Sequence, residues 1–187
     1  MRIIAGTARS LPLKAVPGEH TRPTTDRIKE TLFNVIQFEL PGCNFLDLFC
    51  GSGGIGLEAL SRGAAKAVFV DSSRDACRIA QENMLFTKLN SGCSLLCMDA
   101  VASLRTMERK YVFDIIHMDP PYGQGLECEV LEALKGSGLL HERTLLIIET
   151  DKKQETDIYT CGGYYTIEKI RKYKTNQHVF LRKSGAI

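Results

Sequence analysis

The sequence lacks long apolar runs and CxxC pairs, and each absence excludes a class of protein or site. The longest uninterrupted apolar runs, such as Leu145 to Ile148, have four residues. A membrane span needs about 20 such residues, and the core of a signal peptide needs about 7 or more. We therefore predict a protein without a membrane segment or export signal, located in the cytoplasm.

Cysteine is present but is not arranged for cross-linking or zinc binding. The seven cysteines are an odd number and are scattered through apolar segments, so we interpret them as reduced core residues. No HExxH motif, nucleophile elbow or closely spaced carboxylate cluster occurs. The sequence therefore predicts no metal site.

The length and composition are those of one globular domain. The chain has 187 residues, of which 44% are hydrophobic and 25% are charged. These values are ordinary for a folded domain and exclude a disordered or low-complexity chain. We expect a single domain over residues 1–187 and a monomer.

Charge is distributed unevenly along the chain. Residues 1–30 carry six basic and three acidic side chains, residues 152–187 carry eight and three, and the middle carries ten and sixteen. Basic ends and an acidic centre favour a polyanionic partner. We predict a basic N-terminal arm or hairpin over residues 1–20 that contacts the phosphates of such a partner through Arg2, Arg9 and Lys14.

Strand and helix patterns alternate along most of the chain. The predicted strands are Asn44–Phe49, Ala67–Asp71, Ser94–Met98, Phe113–Met118 and Thr144–Glu149. One helix is predicted directly after the glycine loop that follows the first strand. Three further helices are predicted over residues 74–86, 99–108 and 126–136. The runs Tyr164–Tyr173 and Gln177–Arg182 predict an antiparallel hairpin. The fold class is therefore α/β, a doubly wound and mostly parallel sheet with antiparallel C-terminal strands.

A glycine-rich loop follows the first predicted strand. Gly51, Gly53 and Gly56 satisfy G-x-G-x-x-G between a strand and a helix, where glycines allow close backbone approach to a ligand. Asp71 ends the next strand, where a carboxylate can bind both hydroxyls of a ribose. Leu57 stands where a P-loop needs lysine. The pattern indicates a nucleoside site.

Two acidic residues bear on which nucleoside is bound. Asp47, before the first glycine, is poorly suited to a pyrophosphate but suits the cationic ammonium and sulfonium of S-adenosylmethionine. It could instead cap the loop. Asp99, followed by Ala100, could accept from an adenine amino group, or could simply cap a helix.

The second motif, Asp119-Pro120-Pro121-Tyr122, directly follows the strand Phe113–Met118. Consecutive prolines fix the backbone and expose carbonyl groups. Asp119 and the Pro120 carbonyl could each accept one hydrogen of an exocyclic amine and turn its lone pair toward an electrophilic methyl group. Tyr122 offers a face on which a flipped base can stack.

With these motifs the chain resembles the Rossmann-like class I S-adenosylmethionine-dependent methyltransferases of the bacterial 16S ribosomal RNA guanine-N2 group. The likeness includes residues 1–6, 21–34, 47–64 and 119–122, and the stretch 21–34 is the most specific. The resemblance implies S-adenosylmethionine as cofactor and methylation of a guanine N2 amine in small-subunit RNA, either free or within the subunit or an assembly intermediate.

The same resemblance implies roles for individual residues. The implied cofactor-binding residues are Asp47, Gly51, Ser52, Gly53, Asp71, Ser72, Asp99 and Ala100. The implied catalytic residues are Asp119, Pro120, Pro121 and Tyr122. The implied substrate-binding residues are Arg22, Thr24 and Tyr122. His117 departs from the family pattern, because an apolar residue is expected there, and we interpret it as a packed strand histidine without a catalytic role.

Three alternatives are weighed against this interpretation. A DNA adenine or cytosine amino-methyltransferase would use the same Asp119 geometry, but such enzymes generally need a recognition domain. A nicotinamide-dependent oxidoreductase shares the glycine loop, but Asp47 and the Asp-Pro-Pro-Tyr motif disfavour it. A non-catalytic RNA-binding protein is disfavoured by the intact site residues.

Overall fold

The computed structural model describes residues 1–17 and 26–185, and Arg22 and Thr24 lie outside them. The helices are α1 (Asp26–Ile36), α2 (Gly54–Ser61), α3 (Arg74–Thr87), α4 (Ala100–Met107) and α5 (Leu126–Leu134). The strands are β1 (Asn44–Leu48), β2 (Lys66–Asp71), β3 (Cys93–Cys97), β4 (Phe113–Met118), β5 (Leu140–Asp151), β6 (Tyr165–Lys172) and β7 (Asn176–Lys183). Short 3-10 turns lie at Asn90–Gly92 and Asp157–Thr160. None of the described helices is both long and apolar enough to cross a bilayer.

The seven strands form one sheet in the order β3-β2-β1-β4-β5-β7-β6. Strands β1 to β5 pair in parallel, whereas β7 is antiparallel to both β5 and β6. The chain builds outward from β1 to β3 and then returns to the other side of β1 with β4. The predicted doubly wound sheet and its antiparallel C-terminal hairpin are confirmed, and the order reverses between β1 and β4.

Apolar side chains cover both faces of this sheet. Phe45, Ile115 and Ile147 belong to the core on one face, whereas Leu46, Ile116 and Leu146 belong to the core on the other. Successive residues of a strand point to opposite faces, so strands buried on both sides become continuous apolar runs. This explains why the run from Leu145 to Ile148 is a central strand.

Strand β5 is longer than the predicted segment Thr144–Glu149. It begins at Leu140, and its pairing with β4 shifts register between Phe113 and Ile115. The additional first residues of the strand include His141, Glu142 and Arg143. These residues are polar, so apolar periodicity does not predict them as part of the strand. Tertiary pairing therefore extends the strand beyond its apolar core.

The N-terminal segment is a docked hairpin. Arg2 and Pro12 form an antiparallel bridge, and the Ile3 amide donates to the Leu11 carbonyl at 3.0 Å. Ile3, Ala8 and Leu13 are buried in the core. Apolar side chains thus hold residues 1–13 against the domain as a hairpin.

The cysteines only partly fulfil the prediction of core residues. All seven are free thiols, and Cys43, Cys50 and Cys77 are buried. Cys97 is exposed at the end of β3, so its assignment to the core is wrong. The reason is that β3 is the edge strand of the sheet on that side, and its side chains are incompletely covered.

Candidate active site

Both sequence motifs leave the same edge of the sheet side by side. Strands β1 and β4 are parallel neighbours, and Leu48 pairs with Met118 at their carboxyl ends. The glycine loop and the Asp-Pro-Pro-Tyr loop therefore begin at adjacent points, where the strand order reverses. Ligands of doubly wound sheets bind at this position.

The glycine loop is held in a sharply turned conformation. Phe49, Gly51 and Gly53 all have positive φ angles, of 59°, 51° and 78°. A bulky residue such as Phe49 rarely adopts this conformation outside functional sites. A Cβ atom at Gly51 would meet no atom within 4 Å, so the backbone here faces open space. The loop can therefore admit a ligand close to its main chain.

Gly56 serves packing. A Cβ atom at this position would lie 2.3 Å from the Phe69 ring of β2. The absence of a side chain lets α2 lie directly on the sheet. Gly53, the residue before the helix, has left-handed backbone angles. The amide groups of the first turn of α2 are thereby aimed at the loop.

Asp71 ties the glycine loop to the end of β2. Its Oδ2 accepts from the Gly51 amide at 2.8 Å, and its Oδ1 accepts from the Ser73 amide at 2.9 Å. The residue is half-buried, and Ser72 beside it is exposed. Each carboxylate oxygen keeps a further lone pair, so the position suits a ribose diol.

Two further predicted cofactor positions, Ser52 and Asp99, differ in exposure. Ser52 is buried and its carbonyl accepts from the Asn83 side chain, which also bonds the N-terminal hairpin at Lys14. Asp99 is exposed and caps α4, because its Oδ1 accepts from the Ala102 amide at 2.9 Å. The helix-capping role of Asp99 is therefore present, and an adenine contact stays a prediction.

Asp47 is fully buried and already bonded within the protein. Its Oδ2 accepts from the Gly56 amide at 2.9 Å, and its Oδ1 lies 3.2 Å from Nδ1 of His117. The carboxylate thus braces the start of α2, as the loop-capping alternative expects. Direct contact of Asp47 with a cofactor ammonium stays a prediction.

The second loop carries a carboxylate in a poorly solvated setting. Asp119 is half-buried, Pro120 is buried, and Pro121 and Tyr122 are exposed. Burial and then the charge of Glu149 raise the pKa of Asp119 to about 8. The exposed tyrosine ring and the rigid prolines leave the loop open on its outer side.

Behind this loop lies a buried polar cluster that sequence reasoning missed. Burial lowers the pKa of His117, but the hydrogen bond and charge of Asp47 outweigh it and raise the pKa. Glu149 of β5 bonds His178 of β7 at 3.1 Å, and this contact holds the pKa of Glu149 below its ordinary value although burial alone would raise it. The only available signal was a polar residue inside each apolar strand.

A buried ion pair docks the N-terminal hairpin and α1 against α2. Glu58 is fully buried and lies 3.0 Å from Lys29 and 2.7 Å from Arg62. Its carboxylate also accepts from the Ile4 and Ala5 amides. Burial lowers the pKa of Lys29 despite this partner. The specific 21–34 motif therefore has a structural part, at Lys29.

Four exposed lysines surround the β6–β7 turn. The Lys152 amide donates to the Thr175 carbonyl, which places the end of β5 against this turn. We call Lys152, Lys153, Lys172 and Lys174 the C-terminal basic surface. Within residues 1–17 and 26–185 none of the four forms an ion pair. Since β5 is parallel to β4, this surface lies toward the same edge as the candidate active site.

The donor set of the cleft fits S-adenosylmethionine better than a dinucleotide. Open backbone at Gly51 and the Asp71 carboxylate suit a nucleoside. The buried carboxylate of Asp47 directly under the loop would repel a pyrophosphate. The geometry therefore disfavours the nicotinamide alternative.

Comparison with known proteins assigns the chain to a family. A family model described as conserved hypothetical protein 95 matches residues 1–182. The Bacillus subtilis protein YlbH, described as a candidate rRNA methyltransferase, is 37% identical over 83% of this chain and 85% of its own length. Ribosomal RNA small subunit methyltransferase D of Escherichia coli is 35% identical over 81% of this chain and 75% of its own.

Solved structures agree with this assignment. An Escherichia coli structure described as a candidate methyltransferase has a TM-score of 0.83 and 29% identity, covering 98% of this chain and 97% of that one. A Thermus thermophilus structure has a TM-score of 0.81 and 28% identity, covering 96% and 98%. The predicted resemblance is confirmed: the chain belongs to the conserved hypothetical protein 95 family and is a class I S-adenosylmethionine-dependent methyltransferase.

Proposed function

We propose that this protein methylates the exocyclic N2 amine of a guanine in 16S ribosomal RNA. The observation that carries the proposal is the position of Asp119-Pro120-Pro121-Tyr122 beside the glycine loop, on adjacent strand ends. The relatives from Escherichia coli and Haemophilus influenzae are both named ribosomal RNA small subunit methyltransferase D. The relatives' names support ribosomal RNA as the substrate, and the Asp-Pro-Pro-Tyr loop supports an amine as the methyl acceptor.

The cofactor side of the cleft is formed by Gly51, Gly53, Asp71 and Asp99. Asp71 would hold the ribose hydroxyls, and Asp99 would face the adenine. Bound there, S-adenosylmethionine supplies an electrophilic methyl group. The buried Asp47 keeps the loop and the start of α2 in register with β1 through its bond to Gly56.

The substrate side is formed by the Asp119 loop. The Asp119 carboxylate and the Pro120 carbonyl accept the two amine hydrogens, so the nitrogen lone pair points toward the cofactor. Tyr122 stacks on the flipped base. With the cofactor bound, the methyl group would pass from the sulfonium sulfur to the amine nitrogen, and the methylated amine would then lose a proton to water. Transfer therefore needs orientation and no strong base.

RNA binding is assigned to exposed cations near this edge. The C-terminal basic surface is free of ion pairs within the described residues, which favours phosphate contacts there. By contrast, Arg2 pairs with Asp26 and Lys14 pairs with Glu82. We expect a cytoplasmic monomer whose substrate is the small subunit or an assembly intermediate.

A label-transfer experiment tests the proposal. The protein is incubated with S-adenosylmethionine labelled in its methyl group and, in separate reactions, with small subunits, naked 16S RNA, genomic DNA or ribosomal protein. The RNA and subunits come from cells that lack this enzyme. Label confined to RNA supports the proposal, whereas label in DNA supports the amino-methyltransferase alternative and contradicts it.

A further inference from the structure

Three buried side chains with metal-binding atoms converge behind the Asp119 loop. His117 lies on β4, Glu149 on β5 and His178 on β7, and each is at most 5% exposed. One ring nitrogen of each histidine and one carboxylate oxygen of Glu149 all lie within 4.8 Å of one another. Glu149 and His178 are also direct partners in the antiparallel ladder between β5 and β7. Rigid strands therefore hold all three residues.

One nitrogen of this cluster has no partner. Nδ1 of His117 is bonded to Asp47, but Nε2 is buried and has no hydrogen-bond partner among the described residues. A buried polar atom left without a partner loses the free energy of its hydration. The position therefore calls for a ligand on Nε2.

Both imidazoles are oriented as in metal sites. Nδ1 of His117 faces the Asp47 carboxylate at 3.2 Å, and Nδ1 of His178 faces the Tyr173 hydroxyl at 3.1 Å. Metal-binding histidines commonly have one nitrogen fixed by a carboxylate or similar group while the other binds the ion. In this cluster Nε2 of His117 is left for such a bond, and Nε2 of His178 faces the Glu149 carboxylate.

The spacing of the two closest atoms suits a transition metal. Nε2 of His178 and Oε2 of Glu149 are 3.1 Å apart. Two atoms bound about 2.05 Å from zinc lie about 2.9 Å apart at a right angle and about 3.3 Å apart at the tetrahedral angle. The observed separation falls between these values, and the ligand atom of His117 lies within 4.8 Å of both.

We propose that His117, Glu149 and His178 form a binding site for a divalent transition-metal ion of the zinc type. Two imidazoles and one carboxylate are nitrogen-rich ligands, which disfavour magnesium and calcium. Three protein ligands leave the fourth position of zinc for water. The ion would join β4, β5 and β7 beneath the Asp119 loop. Binding at this site does not depend on the RNA substrate.

Cobalt titration tests the site without any activity measurement. After dialysis against a chelator, the protein is titrated with Co²⁺ and its visible absorption is recorded. We expect one equivalent to bind, with ligand-field bands that an equivalent of Zn²⁺ abolishes. His178→Gln and Glu149→Gln should each weaken binding by more than about 10-fold, and Tyr173→Phe should weaken it by about 10–100-fold. His141→Ala is the matched control, because His141 is half-exposed against Asp114 on a different part of the sheet.

Two results would overturn the proposal. Folded wild-type protein that binds neither Co²⁺ nor Zn²⁺ would show that the two histidines are only counterions of the buried carboxylates. A thiolate charge-transfer band would place the metal on cysteine, which also contradicts the assignment. Thermal unfolding and S-adenosylmethionine binding establish that each variant is folded. Should the ligand variants unfold, Tyr173→Phe decides, because it retains all three ligands.

Discussion

At the scale of single residues, we predict that methyl transfer depends on Asp119. The half-buried carboxylate begins the loop beside the cofactor cleft. Among the described residues, no hydrogen bond joins Asp119 to the glycine loop. We expect Asp119→Ala to lower the transfer rate by roughly 100-fold or more, since the amine loses an orienting acceptor. Cofactor affinity, measured by calorimetry, should stay within a few-fold. Asp75→Ala, at an exposed site on α3, is the control; loss of cofactor binding by Asp119→Ala would make Asp119 a cofactor or folding residue.

Gly56 is the residue on which helix packing under the loop depends. A methyl group here would lie 2.3 Å from Phe69. We expect Gly56→Ala to lower the free energy of unfolding by about 1–3 kcal/mol, measured by urea denaturation. The double variant with Phe69→Leu should lose less free energy of unfolding than the two single variants lose together, because the smaller side chain relieves the clash. Strict additivity would contradict this explanation.

The sequence predicts individual residues well where a motif fixes them. The glycine positions and the Asp119 loop lie where their place after β1 and β4 predicts. Asp47 differs, since its role as a brace depends on contacts with Gly56 and His117 that are distant in sequence. Glu149 and His178 were missed for the same reason, because only the sheet brings β5 and β7 together.

At the scale of elements, the buried carboxylate of Glu58 connects the N-terminal hairpin, α1 and α2. Glu58→Gln removes the counterion of Lys29, and both side chains are fully buried. We expect a loss of about 3–5 kcal/mol in the free energy of unfolding, measured by denaturant titration. Glu132→Gln breaks an exposed pair with Lys135 and should leave stability unchanged. Equal effects of the two variants would show that burial of the Glu58 network is unimportant.

The two basic ends of the chain should differ in RNA binding. Lys152, Lys172 and Lys174 are exposed without ion pairs in the described structure, whereas Arg2 and Lys14 already have acidic partners. Replacing the three C-terminal lysines by alanine should weaken RNA affinity and flatten its salt dependence.

The comparison variant replaces Arg2, Arg9 and Lys14 and should have a smaller effect on the salt slope. Binding of labelled small-subunit RNA is measured at several salt concentrations. A larger change in the salt slope for the N-terminal triple variant would show that the hairpin contacts the RNA, as charge alone predicts. The sequence shows where cations lie along the chain, but the partners that neutralise them depend on folding.

At the scale of the whole molecule, the alternation of strands and helices was sufficient to predict the doubly wound sheet. Parallel strands need crossover helices, and this constraint leaves few topologies. The order of the outer strands is different. Insertion of β7 between β5 and β6 depends on which hairpin strand pairs with β5, and β-rich periodicity in the tail is the same for either order.

The identity of the methylated nucleoside tests the proposal that the glycine loop and the Asp119 loop together position a guanine amine for methylation. Small subunits from cells lacking the enzyme are treated with wild-type protein or Asp119→Ala, and the RNA is digested and analysed by mass spectrometry. We expect N2-methylguanosine from the wild type alone. A methylated adenine, cytosine or ribose, or equal product from the Asp119 variant, would contradict it.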